Sequence, residues 1–114
     1  MKSRYRAGWL NKFFVQLITH PIMFLLQNYS ANTSLQADFY IQSKGNNAGK
    51  PMKEPSANCF LVLTDSSVLL PEYFYYVVLA VYNSGLFKKY LTGSVIPFLT
   101  QKDFHKALEA YFMK

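Results

Sequence analysis

Cys59-Phe60-Leu61-Val62-Leu63-Thr64, then Asp65-Ser66-Ser67, then Pro71-Glu72-Tyr73-Phe74-Tyr75-Tyr76-Val77-Val78-Leu79-Ala80-Val81-Tyr82-Asn83-Ser84-Gly85, is the stretch that decides the fold. A continuous apolar run of strand length reads as a central strand buried on both faces. The Asp-Ser-Ser tripeptide is a turn. Proline suits a first helical position, where no N–H donor is needed, and Glu72 suits the positive end of the helix dipole. Gly85 is a natural left-handed cap, so the helix runs from Pro71 to Ser84. It is apolar nearly all round, which marks a buried or a membrane helix. At roughly 14 residues it is too short to span, since a span takes about 20. Tyr73 to Tyr76 point to all sides of such a helix, so they read as packing rather than one stacking platform.

Outward from this pair the pattern stays mixed. Leu86 to Leu91 adds a turn or two of helix, and Thr92-Gly93-Ser94 is a turn. Val95 to Leu99 reads as a short edge strand, because Pro97 cannot donate to a central ladder. Thr100 caps a last helix over 101–112, with Asp103 three residues on. Its apolar stripe is Phe104, Ala107, Leu108, Tyr111 and Phe112. Toward the N-terminus, Ala37, Phe39 and Ile41 alternate with polar-edged neighbours, which predicts a half-buried strand over Ala37–Ser43. The Gly, Asn and Pro content from Ser43 to Asn58 predicts one long loop. The expectation is an α+β domain over 37–114. It has a small mixed or antiparallel sheet of Ala37–Ser43, Cys59–Thr64 and Val95–Leu99, packed against two or three helices. A third helix is expected somewhere in 9–27.

Residues 1–36 read as a basic, apolar extension outside this domain. Residues 1–37 carry Lys2, Arg4, Arg6 and Lys12 and no acid, within a chain of net charge +6. Such an arm can serve nucleic acid or anionic lipid, or simply be solvated. The run from Phe13 to Leu26 is broken by His20-Pro21. Its length fits a buried helix or a signal-peptide core better than a span. Met23 offers a later start, so the segment also reads as an upstream extension of the frame. A cytoplasmic protein is expected; export or membrane association through residues 1–30 is the alternative.

The chemistry-bearing residues are sparse. Gly45-Asn46-Asn47-Ala48-Gly49-Lys50-Pro51 invites comparison with a phosphate loop. That loop needs four residues between its glycines and a hydroxyl after its lysine. Here there are three, and Pro51 replaces the hydroxyl and disfavours the helix start. Cys59 lies within an apolar strand, which makes a thiol inert. His20 and His105 are the only histidines, and His105 is expected to be exposed beside Lys102 and Lys106. No metal-ligand spacing exists, and one cysteine permits no internal disulfide. The six acids fall mostly at turns and helix starts. No enzyme, no cofactor and no metal is therefore expected.

The loop is the feature left over. Lys44, Asn46, Asn47, Lys50 and Lys53 set three cations among amides and glycines, with backbone N–H groups expected to be free for a ligand. Such a loop holds a phosphate backbone or an acidic protein partner. A solvated connector is the competing reading.

Ser43-Lys44-Gly45-Asn46-Asn47-Ala48-Gly49-Lys50-Pro51, Asn58-Cys59-Phe60 and Leu91-Thr92-Gly93-Ser94-Val95-Ile96-Pro97-Phe98 resemble the motifs of a family of short uncharacterised bacterial proteins. That family is a domain of unknown function often encoded on mobile elements. The resemblance runs from about residue 37 to 112 and implies no catalytic residue. A second likeness is to the target-recognition domains of type I restriction specificity subunits. It rests on Pro71-Glu72-Tyr73-Phe74-Tyr75, Thr92-Gly93-Ser94 and Asp103-Phe104, and implies DNA as partner. The sequence thus points to a non-catalytic binding module, with DNA first among its partners. A protein-interaction or regulatory subunit of a mobile element, using exposed aromatics and a sheet edge, comes second.

Overall fold

The computed structural model describes residues 23–32 and 35–113. Four strands form one sheet in the order β1-β4-β2-β3: β1 is Phe24–Asn28, β2 Phe39–Gln42, β3 Pro51–Met52 and β4 Cys59–Thr64. All three pairings are antiparallel. Helix α1 spans Pro71–Asn83, a 3-10 helix spans Leu86–Tyr90, and α2 spans Gln101–Phe112. The architecture is the α+β fold expected, and its sheet is antiparallel throughout.

The central strand is where the sequence placed it. β4 lies between β1 and β2, and Cys59 to Val62 are buried whichever face they point to. The register sets Leu26, Val62 and Phe39 side by side, and Ile41 beside Phe60. These residues share one core cluster with Phe74, Val78 and Val81 of α1 and Phe104, Ala107 and Leu108 of α2. Phe24 is the hinge of that core. Its ring lies 4.5 Å from Phe74, edge-on to Phe104 at 6.4 Å, and stacked on His105 at 5.1 Å. Burying such rings contributes roughly 1.5–3 kcal/mol each by transfer alone.

The helix signals hold. Pro71 opens α1, and Gly85 follows it at φ +81°. Of the four consecutive aromatics, Phe74 is buried and Tyr76 is 61% exposed, with Tyr75 between the two. The Thr100 hydroxyl accepts the Asp103 N–H at 3.0 Å, closing the first turn of α2. Asp65 holds its turn through Oδ1, which accepts from both the N–H and the hydroxyl of Ser67.

Four expectations need correction. First, Phe24–Asn28 lies inside the segment set apart as an extension, yet it is a full strand of the sheet. The folded unit therefore takes in residues before 37. Phe24 and Leu26 are buried while Leu25 and Gln27 face out. An apolar Leu25 in an outward position hides that alternation. The helix expected within 9–27 does not include these residues, and residues 9–22 lie outside the described part, as does the basic arm.

Second, Val95 to Leu99 is not a strand. Only Phe98 bridges, to Lys44 on one side and Thr92 on the other. Pro97 has no N–H to extend the ladder, and Val95 and Ile96 bulge out at 90% and 64% exposure. Third, the long loop contains β3, whose Pro51 is accommodated because the strand is at the sheet edge. Fourth, His105 is not exposed. It is half-buried against Phe24, and its Nδ1 has no hydrogen-bond partner. Burial pushes its pKa below the usual histidine value, against an opposing pull from Glu109.

Candidate functional site

The loop from Ser43 to Lys50 is a hairpin connection between β2 and β3, and it is held from both sides. Gln42 N–H donates to Lys50 O at 2.9 Å, and Gly49 N–H donates to Gln42 O at 2.7 Å. Ala48 N–H donates to Gly45 O, and Lys50 N–H to Asn47 O, giving two tight turns. On the far side, Ser43 N–H reaches Asn58 O, Gly45 N–H reaches Pro97 O at 2.7 Å, and Leu99 N–H reaches Ser43 O. Asn47 Oδ1 accepts the Tyr82 hydroxyl of α1 at 3.0 Å.

Beneath the loop, Gly49 has φ +98° and sits directly on the Phe87 ring. A Cβ there would fall 2.6 Å from Phe87 Cγ, well inside contact distance. Glycine is the residue that both the backbone angle and the ring allow.

This anchoring corrects the expectation of free backbone amides. The N–H groups of Gly45, Ala48, Gly49 and Lys50 are all spent inside the fold. These four amides are not available to a ligand, so the side chains carry most of what the loop offers an anion.

Those side chains divide into two sets. Lys44, Asn46, Asn47 and Lys50 line one open cavity of about 280 Å³ above the hairpin. A second cavity, of about 440 Å³, shares Gln42, Lys44 and Gly45 with it and is otherwise lined by Asn58, Ile96 and Phe98. No carboxylate is among the residues lining either cavity. The cations there face no built-in counter-charge. Gln42 is a fixed wall: its Nε2 donates to Lys44 O and its Oε1 accepts from Ser56.

Lys53 is elsewhere. Its ammonium sits 5.3 Å from the centre of the Tyr75 ring, in a separate cavity of about 220 Å³ that Asp38 and Glu72 also line. The Asp38 carboxylate accepts both the N–H and the hydroxyl of Thr64 at 2.7 Å. Lys53 thus shares its cavity with two carboxylates, and it is not among the residues lining the cavities of Lys44 and Lys50.

Asn58, Ile96 and Phe98 are the site residues that sequence reasoning did not select. The hairpin and the 92–98 turn meet only through long-range backbone bonds, which no local pattern announces. Among the described residues no group of three or more His, Cys, Asp or Glu side chains could hold a metal ion. No described helix is long and apolar enough to cross a membrane.

A family model described as a family of unknown function, DUF6943, matches residues 26–114. The chain belongs to this family. No curated protein and no solved structure matches it. The DUF6943 match begins within β1 and covers every later element, including both cavities' walls.

Proposed function

We propose that the protein is a non-catalytic binding module that holds a DNA backbone on the face carrying Lys44, Asn46, Asn47 and Lys50. The observation that carries this reading is the pair of adjoining cavities whose polar lining is lysine and amide side chains, with no carboxylate. Lysines placed on a rigid hairpin meet phosphates without a large ordering cost, and their affinity comes from counterion release. Lys53 is not part of the surface.

The test is fluorescence anisotropy of labelled DNA with the full chain across a salt series. Binding should weaken linearly in log salt. The Lys44→Gln/Lys50→Gln double variant should flatten the slope by about two, since each phosphate contact contributes about one. Absence of binding at low salt, or a slope the double variant leaves unchanged, overturns the proposal.

Docking to a protein is the second reading. It is favoured by Val68, Leu70 and Tyr76, large apolar groups exposed at the start of α1. A complex that survives high salt would select it.

A further inference from the structure

We infer that the DNA this surface takes is single-stranded, with one unstacked base seated on the Phe98 ring in the cavity bounded by Lys44 and Asn58. The inference rests on the nucleic-acid reading above and adds to it the state of the strand.

The argument starts from the backbone. Phe98 N–H donates to Thr92 O at 2.8 Å and Thr92 N–H donates to Phe98 O at 2.9 Å, closing the 92–98 turn. The neighbouring Pro97 O and Leu99 N–H are both tied to the hairpin, at 2.7 and 2.8 Å. These bonds fix the Phe98 backbone and with it the direction of its Cα–Cβ bond. Gly93 lies close beside the ring: a Cβ on it would sit 3.5 Å from Cδ1 and Cε1 of Phe98. With the ring held near Gly93, its remaining surface, 36% of the residue, faces solvent beside the cavity.

An aromatic side chain partly exposed beside Lys44, in a cavity with no carboxylate, suits a particular ligand chemistry. A nucleobase presents an apolar face to stack and is tethered to a phosphate for the lysine. Asn58 has a side-chain amide for the base edge, and its backbone carbonyl accepts from Ser43 N–H. The cavity, at about 440 Å³, falls in the range of about 300–1,000 Å³ usual for ligand clefts. Ile96 forms its apolar lip. In a duplex both faces of a base are covered by stacking, so the ring has nothing to meet. In a single strand the faces are available.

The test uses the full chain and labelled oligothymidine, the same oligonucleotide with abasic sites, and a duplex of equal length. Wild type should bind oligothymidine about tenfold more tightly than the abasic strand at equal salt. Phe98→Leu should remove that preference while leaving the salt slope unchanged, because no charge is lost. Irradiation of wild type with oligothymidine should crosslink the tryptic peptide 90–102, a readout that needs no variant to fold. Equal affinity for oligothymidine and its abasic form, or a crosslink confined to other peptides, overturns the base-stacking inference and leaves the backbone-binding reading standing. Absence of salt-dependent binding to all three probes overturns both.

Discussion

Gly49→Ala should be among the most damaging single-methyl additions in this protein. The position combines two penalties that are usually separate. Its φ of +98° lies where L-residues are rarely found, and left-handed backbone costs a non-glycine residue about 1–2 kcal/mol. The added methyl would also meet the Phe87 ring, 2.6 Å from Cγ and 2.9 Å from Cε2. Phe87 cannot retreat easily: it is 1% exposed and stacked on Phe104 at 5.4 Å with the planes 12° apart. Overpacking of a filled core costs about 1–3 kcal/mol. Together the loss is about 2–5 kcal/mol, a large fraction of the roughly 5–15 kcal/mol that stabilises a domain. Gly85→Ala is the control, since Gly85 has φ +81° but no atom within 4 Å of its would-be Cβ. Urea unfolding followed by circular dichroism should place Gly49→Ala below Gly85→Ala by the overpacking cost alone, about 1–3 kcal/mol. Equal losses in the two variants would refute the reasoning, because only the contact with Phe87 separates them.

Three further outcomes are expected. Thr100→Ala should cost about 1 kcal/mol by uncapping α2, read as a shift in the urea midpoint with an unchanged slope. Lys53→Gln should leave the affinity for DNA and its salt slope unchanged where Lys44→Gln lowers both, since Lys53 shares its cavity with Asp38 and Glu72; anisotropy titrations compare them. The burial of His105 lowers its pKa in the folded state, so the unfolded chain takes up the proton first. That contribution to stability is whole above the ordinary histidine value near 6.5 and is lost as pH falls below it. His105→Leu should flatten the stability–pH curve in that window, and a curve of unchanged steepness would count against the assignment.

The legible parts of the fold are those whose signals are local. Pro71 and Gly85 bracket α1, Thr100 and the Phe104 stripe define α2, and the unbroken Cys59–Thr64 run marks the strand at the centre of the sheet. The illegible parts are those that tertiary contacts create. Leu25 faces solvent but is as apolar as its buried neighbours Phe24 and Leu26, so β1 shows no alternation. His105 sits between two lysines in sequence, and only the arrival of the Phe24 ring from another element buries it. β3 has two residues, one of them proline, and exists because Ile41 and Tyr40 pair with it.

The candidate site divides along the same line, and the division sharpens what it does. Composition alone singles out the hairpin, where Lys44 and Lys50 stand among turn-forming Gly and Asn with no acid between 43 and 50. Composition cannot say that the N–H groups of Gly45, Ala48, Gly49 and Lys50 are consumed internally, and that changes the chemistry. A loop with free N–H groups binds a phosphate closely and without regard to what else the ligand carries. A loop with those N–H groups spent leans on the longer reach of lysine, which holds a phosphate loosely and leaves specificity to whatever lies beside it. What lies beside it is Phe98, brought there by the closed 92–98 turn and exposed on a rigid backbone. On the proposed reading the two features complement each other: the lysines supply attraction that any polyanion satisfies, and the ring supplies a face on which an unpaired base can stack. A surface built for a mere polyanion has no use for the ring, and one built for an apolar partner has no use for the uncompensated lysines.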